Sequence, residues 1–376
     1  MLMKMAQKHT VLFDHEIFLM QAAGGVTRYF VELIRQLAHS PDFRPVIFAG
    51  LHASKLLQQE RDCLGAKVLG WKLPFGIRHN RAVSALDQIA FRIFAKSLRP
   101  DIYHATYYRE CPMPPGTSRV VTVHDMVAEL LGNPPRTHDP TPLRKGRAIS
   151  AADCVICVSE HTRRDMLRFY PEATHKSFAV HHGASLPHRG EPKSFIPQPY
   201  FLYVGQRDAR KNSDMLKQAF ASIPLANAKL VFFGGSAPSA SEKALMSESG
   251  HIYTTGGDEQ LATWYRHATA LLYPSYYEGF GMPVLEAMAL GCPVVASNKS
   301  SLPEVAGDAA IMLDPADCQA WANTMRDLCA SPVLRDTLSK KGIARSNSFS
   351  WEKCAQETAE VYTEALLSGR RMQEMK

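Results

Sequence analysis

A chain of 376 residues, 45% hydrophobic and 21% charged, has the composition of a globular protein and is long for a single core, which predicts two domains. No apolar run approaches the roughly 18 residues of a membrane span, and no fixed-period repeat or low-complexity tract occurs. The net charge of +7 is uneven: residues 1–190 hold 25 basic against 16 acidic side chains, and residues 191–376 hold 18 against 20. A basic first half predicts an anionic partner on that side, such as a phosphorylated substrate or an acidic membrane surface. Eight scattered cysteines and an N-terminus without an apolar signal segment predict a cytoplasmic protein.

In chain order, short β-branched or apolar runs alternate with amphipathic stretches, the pattern of an α/β protein with parallel sheets. Strands are expected near Thr10–Phe13, Arg44–Phe48, Ile102–His104, Val120–His124, Cys154–Val158 and Ser177–Val180. Helices fit at Val26–Ala38, Asn80–Ser97 and Glu160–Phe169. Four prolines in Ser185–Pro199 mark a linker. The pattern then restarts, with strands near Phe201–Val204, Lys229–Phe233, His251–Thr254, Ala270–Tyr273, Pro293–Ala296 and Ala310–Leu313. Helices fit there at Ser213–Ser222, Asp258–His267, Pro283–Leu290 and Ala316–Ala330, and a last one at Trp351–Leu367 has room to return to the first domain. The domains are therefore placed at 1–185 and 200–350, with a linker at 186–199 and a C-terminal helix within 351–376. Ligands of such sheets bind at the carboxyl ends of strands, so chemistry is sought in the strand-to-helix loops.

The densest of these loops is Ser275-Tyr-Tyr-Glu-Gly-Phe-Gly-Met-Pro-Val-Leu-Glu286. Pro283 suits the first position of a helix and Gly291 its end. The backbone N–H groups near Phe280, Gly281 and Met282 then leave a helix N-terminus, where anions bind. Glu278 and Glu286 flank that anion site as hydroxyl acceptors, a combination suited to a sugar nucleotide. The loop Gly205-Gln-Arg-Asp-Ala-Arg-Lys-Asn212 adds cations at another strand-to-helix turn, able to neutralise a departing diphosphate.

Glu278-x7-Glu286, then Ala-Met-Ala-Leu-Gly-Cys-Pro-Val-Val-Ala-Ser and Leu302-Pro-Glu-Val-Ala-Gly-Asp, closely resembles the signature of family 4 retaining glycosyltransferases. The specific likeness runs from Ala270 to Pro315 and continues more weakly along the chain. It implies the GT-B fold, two facing Rossmann-like domains with parallel sheets and an interdomain cleft. It also implies that Glu278 contacts the donor sugar, Glu286 the ribose, and the Phe280 and Gly281 backbone the sugar hydroxyls and phosphate. Lys211 takes the phosphate role of an Arg-Lys-Asn loop; Gln206 stands where many members carry Arg, leaving Arg207 or Arg210 as the second cation. Gly25, in the Gly24-Gly25 pair, would border the donor phosphate. His124, ending the Val120–Val123 strand, resembles the family's active-site histidine. Arg109 and Arg163 are candidate acceptor contacts.

The implied activity is hexosyl transfer from a nucleoside diphosphate sugar to a glycan or lipid-linked acceptor in cell-surface polysaccharide synthesis, including lipopolysaccharide. Likeness to bacterial polysaccharide mannosyltransferases points to GDP-mannose. Catalysis would rest on His124, Lys211 and Glu278, with no cofactor or metal, since no Asp-x-Asp occurs. A GT-B epimerase or phosphorylase, or a non-catalytic sugar-nucleotide-binding module, is the alternative. Gly-x-Gly-x-x-Gly and P-loop patterns are absent, and Cys154-Val-Ile-Cys157 reads as core. The basic, helix-periodic stretch Ile77–Arg99 could lie on an anionic membrane at its inner face; no nucleic-acid motif is present.

Overall fold

A computed structural model of the chain describes residues 8–22, 24–73, 81–130, 140–186, 193–197, 199–223, 225 and 227–374. Residues 77–80, the start of the predicted basic helix, and 187–192 with 198, half of the predicted linker, lie outside them. The chain forms two compact units, Met1–His182 with Trp351–Lys376, and Gly183–Ser350.

The first unit is built on strands β1 (His9–Phe13), β2 (Phe43–His52), β3 (Lys67–Lys72), β4 (Ile102–Ala105), β5 (Ser118–Val123), β6 (Cys154–Cys157) and β7 (Ser177–Ala179). All pairs are parallel, in the order β3-β2-β1-β4-β5-β6-β7. Such sheets are covered on both faces, so their central strands β1, β4, β5 and β6 are buried along nearly all their length. One face carries Val11, Phe13, Ile47 and Ile156 with Phe30 and Ile34 of the Gly25–Leu37 helix, and Trp351 and Tyr362 of the Trp351–Glu374 helix. The other carries Leu12, Val46 and Tyr103 with Phe91 and Ala95 of the Arg81–Leu98 helix. Tyr362 also bonds His104 Nδ1 at 2.7 Å, and Thr122 Oγ1 takes the other ring nitrogen at 2.8 Å. Cys154 and Cys157 are buried in β6, and burial pushes both thiols up.

The second unit repeats the scheme with β8 (Tyr200–Val204), β9 (Lys229–Phe233), β10 (Ile252–Thr254), β11 (Ala270–Tyr273), β12 (Val294–Ser297) and β13 (Ile311–Leu313). Its order is β10-β9-β8-β11-β12-β13, again parallel. Trp321 fills its core beside Phe201, Phe232 and Leu272. In each sheet the winding direction reverses once, between β1 and β4 in the first and between β8 and β11 in the second. Loops leaving such paired strands diverge to opposite faces and open a crevice between them.

Elements not expected from the sequence include β3, the Thr141–Ala151, Ala240–Glu248 and Pro332–Ser346 helices, and several helices of four to six residues. β3 is an edge strand with lysines at both ends and Gly70 within it, so it shows no apolar run.

Candidate active site

The crevice of the second sheet is lined by the loops after β8 and β11. Asp208 Oδ1 accepts from the Lys211 N–H at 2.9 Å, capping the short Ala209–Lys211 turn, and Asn212 follows in the left-handed conformation. That turn aims Lys211 back across the end of β8. Gly205, at φ +129°, leaves room for it, since a Cβ there would sit 3.2 Å from Lys211 Nζ. Lys211 Nζ lies 3.1 Å from the Tyr273 hydroxyl and 3.1 Å from Glu278 Oε1. Arg210 Nη1 donates to the Tyr277 carbonyl at 2.7 Å and lies 3.5 Å from the same Glu278 oxygen. Two cations thus converge on one buried carboxylate. Burial raises the Glu278 carboxyl, but Lys211, Arg210 and the Ser275 hydroxyl outweigh it and hold it below the usual carboxylate range.

The β11 loop is braced by residues that sequence reasoning missed. Ser300 Oγ accepts from the Glu278 N–H at 3.0 Å. The Ser301 hydroxyl is within 2.9 Å of the Glu278 carbonyl and 2.8 Å of the Phe280 carbonyl. Both serines come from the turn after β12, some twenty residues downstream, so no local pattern announces them. Gly281, at φ +104°, caps the Met282–Ala289 helix, and a Cβ there would meet Leu302 at 2.6 Å. Glu286 lies one turn inside that helix, buried, with the Tyr265 hydroxyl 3.4 Å from Oε2.

Arg207 and Arg210, equivalent in sequence, separate here. Arg207 Nε pairs with Glu242 at 2.7 Å, its other nitrogens bond the Gly234 and Ser236 carbonyls, and its plane stacks 4.8 Å over Tyr253. With its side chain only 6% exposed, Arg207 pins the β8 loop to the β9 loop, and Arg210 is the second cation beside Glu278.

In the first unit, His124 follows β5. Its ring packs against Tyr29 and Phe30, and Nε2 is buried without a hydrogen-bond partner. Burial, reinforced by His104 and Lys145, lowers its pKa to about 3, so the ring is neutral at physiological pH. Behind it Lys145, 1% exposed, bonds the Asp125 carbonyl and Glu129, both at 2.8 Å. That lysine fixes the His124–Asp125 turn and was not singled out in the sequence. Gly25 opens its helix in an exposed loop, where Gln21 Oε1 accepts from Thr27. Arg109 donates to His15 beside the ends of β1 and β4. Arg163 instead bonds the Ser177 carbonyl at 3.0 Å and pairs with Glu160, stitching its helix to β7. Among the described residues no group of three or more potential metal ligands is present.

The Glycosyltransferase Family 4 model matches residues 23–186, and the glycosyl transferases group 1 model matches residues 188–345. The O-antigen chain mannosyltransferase B of Escherichia coli is 28% identical over 369 residues, spanning 90% of this chain and 95% of that one. In fold, the chain matches the sucrose-phosphate synthase of Thermosynechococcus elongatus with a TM-score of 0.74 at 22% identity, over 95% of this chain and 99% of the other. Anabaena Alr3699/HepE, solved with UDP-glucose, matches with a TM-score of 0.67 at 14% identity, over 94% and 98%. With two glycosyltransferase models abutting across nearly its whole length, and a full-length glycosyltransferase relative, the chain belongs to the family 4 glycosyltransferases and has their GT-B fold.

Proposed function

We propose that this glycosyltransferase moves a hexosyl unit, with retention of configuration, from a nucleoside diphosphate sugar to a glycan hydroxyl in cell-surface polysaccharide synthesis. The observation that carries the reading is the convergence of Lys211 and Arg210 on Glu278 where β8 and β11 diverge. A diphosphate gains negative charge as the glycosidic bond breaks, and fixed cations in a half-buried site stabilise that charge without reorganising. Glu278 would accept sugar hydroxyls, Glu286 the ribose hydroxyls, and Gly25, Phe280 and Gly281 would offer backbone groups to the donor. Neutral His124 donates or accepts a hydrogen bond rather than a charge. With no carboxylate assigned as a covalent nucleophile, same-face substitution, in which the leaving oxygen takes the acceptor proton, fits retention. The cations neutralise the diphosphate themselves, so the reaction needs neither metal nor cofactor.

The Escherichia coli mannosyltransferase relative favours GDP-mannose as donor, and the UDP-glucose complex of the Anabaena protein supports a nucleotide sugar of some kind. A thermal-shift series with GDP-mannose, UDP-glucose and dTDP-glucose tests this. A ligand present at a hundred times its Kd adds about 2.7 kcal/mol to stability. A rise with none of the three would overturn the donor reading, and a rise with UDP- or dTDP-sugar alone would overturn mannose.

Among the described residues no helix is long and apolar enough to cross a membrane. The Arg81–Leu98 helix nevertheless exposes Leu86, Ile89 and Ile93 in one stripe, between 56 and 66% exposed, with Arg92 and Lys96 alongside. Trp71 on β3 is 74% exposed, and by strand alternation it shares a sheet face with Leu69, which packs toward this helix. This surface supports peripheral contact with an anionic membrane at its cytoplasmic face, where a lipid-linked acceptor would reside. Co-sedimentation with phosphatidylglycerol vesicles, lost in Ile89→Ser/Ile93→Ser, is the expected result.

A further inference from the structure

Beneath the two cations of the donor crevice lies a side chain to which the donor reading gives no task. β11 is buried along its whole length, and its first three residues, Ala270, Leu271 and Leu272, are aliphatic core. The fourth is Tyr273, equally buried, and its hydroxyl reaches the Lys211–Glu278 pair. A phenylalanine would fill nearly the same volume without the cost of burying a hydroxyl, which is unfavourable unless the group is bonded. This one is bonded twice. Lys211 Nζ lies 3.1 Å away, and the Glu278 carboxylate is the second partner.

The partners fix the direction of both bonds. An ammonium only donates and a carboxylate only accepts, so the phenol oxygen accepts from Lys211 and its O–H donates to Glu278. Lys211 Nζ is also 3.1 Å from Glu278 Oε1, so the three side chains close a ring in which each holds the other two. Burial and the adjacent carboxylate push the Tyr273 phenol well above its usual range, and it keeps the proton it donates. The aromatic face adds to the hold, with its centroid 5.3 Å from Lys211 Nζ, inside the range of cation–π attraction.

The consequence falls on Lys211. A lysine has a flexible four-carbon stem, and ordering it on a ligand costs rotamer freedom. Here Tyr273 and Glu278 take two of its three N–H groups, and its side chain keeps 13% of its surface open for the third to reach a ligand. Arg210 is held separately, by the Tyr277 carbonyl. Tyr200, at the amino end of β8 and away from the crevice, shows what a purely structural hydroxyl does in this sheet. It donates to the Trp264 carbonyl at 2.7 Å and ties β8 to the Asp258–His267 helix.

We propose that Tyr273 is a positioning residue of the donor crevice, its Glu278-anchored hydroxyl fixing the Lys211 ammonium in the place where a diphosphate binds. Calling the ligand a diphosphate rests on the glycosyl-transfer reading; the Lys211–Tyr273–Glu278 ring does not. Being fully buried, Tyr273 acts through Lys211, whose ordering is complete before the ligand arrives.

Tyr273→Phe removes one oxygen, keeps the aromatic ring and leaves the Lys211–Glu278 ion pair in place, so the fold survives. Calorimetry on the full chain measures GDP and UDP binding to the wild type, Tyr273→Phe, Lys211→Ala and the double variant, with Tm recorded for each. The nucleotide that the wild type binds more tightly should bind Tyr273→Phe about fivefold to tenfold more weakly, the scale of one hydrogen bond. In the Lys211→Ala background the same substitution should change affinity by less than about twofold, because the group it positions is gone. Tyr200→Phe should lower Tm and keep the affinity of the wild type. Wild-type affinity in Tyr273→Phe, an equal loss in the Lys211→Ala background, or a matching loss in Tyr200→Phe would each overturn the proposal. If Lys211→Ala is weakened and Tyr273→Phe is not, the positioning role alone falls and the donor reading stands. If neither nucleotide binds the wild type, or Lys211→Ala binds as tightly as the wild type, both fall.

Discussion

The two parallel sheets open the same kind of crevice and furnish it with opposite chemistry. At β8/β11, Lys211 and Arg210 outnumber the Glu278 carboxylate they enclose, and a site with spare positive charge suits a diphosphate. At β1/β4, Asp14 and Glu16 sit close to Arg109 and Arg144, and burial with the neighbouring Asp14 raises the Glu16 carboxyl to about 7. The topology supplies the place, and the side chains at the strand ends choose the ligand. The units differ in their histidines as well. Burial lowers His15 and His52 to about 4 and His104 and His124 to about 3, and drives His182 well below its usual value. Among the described residues of the second unit, His251 alone is lowered, to about 4.

The sharpest way to break this contrast is to remove charge from the donor crevice. Lys211→Ala should lower kcat by about 10²–10³-fold, the usual cost of one electrostatic contact to a developing anion, with Tm nearly unchanged. Transfer measured with a radiolabelled donor reads this directly, and near-normal turnover would remove Lys211 from the chemistry. Next in size is Arg210→Ala against Arg207→Ala. The first should weaken nucleotide binding measured by calorimetry. The second should instead lower Tm, because Glu242 and the Gly234 and Ser236 carbonyls lose their partner.

The histidines predict an acid response that begins in the first unit. A histidine whose folded pKa lies below 6.5 contributes stability that is full above pH 6.5 and is lost as pH falls toward the folded value. Five such groups in the first unit outnumber Glu16, Glu32 and Asp87, whose raised carboxyls act in the opposite sense. Between pH 6.5 and about 4.5, hydrogen exchange should therefore accelerate in β4 and β5 before β8 and β11. Equal loss in both units would show that the buried histidines carry no such load. The smallest effect expected is that of Arg163→Ala, which should leave turnover alone and cost about 1 kcal/mol at the β7 edge, read by denaturant unfolding.

Local periodicity and loop composition made most of this molecule legible. The Ser275–Glu286 loop announces itself because Gly281, Pro283 and the two glutamates, Glu278 and Glu286, fall close together in one short segment. What stayed hidden depends on partners far along the chain. Nothing adjacent distinguishes Arg207 from Arg210; the difference is made by Glu242 and Tyr253. Ser300 and Ser301 act on a loop some twenty residues earlier. Glu16 looks like an ordinary acid before an apolar run, and its neighbours Arg109 and Arg144 come from distant parts of the chain. The Pro332–Ser346 helix was readable, for Ser331 caps it and Pro332 starts it.

The Trp351–Glu374 helix places Trp351, Tyr362 and Ala365 in the core of the first unit, although the whole second unit precedes it in the chain. During synthesis the first sheet is therefore made long before the segment that closes one of its faces. The second unit, contiguous in sequence, can consolidate while the first is still short of Trp351 and of the tyrosine that engages His104. The first unit is thus the later of the two to mature on the ribosome, and a chain halted before residue 351 would hold a complete second unit and an unfinished first.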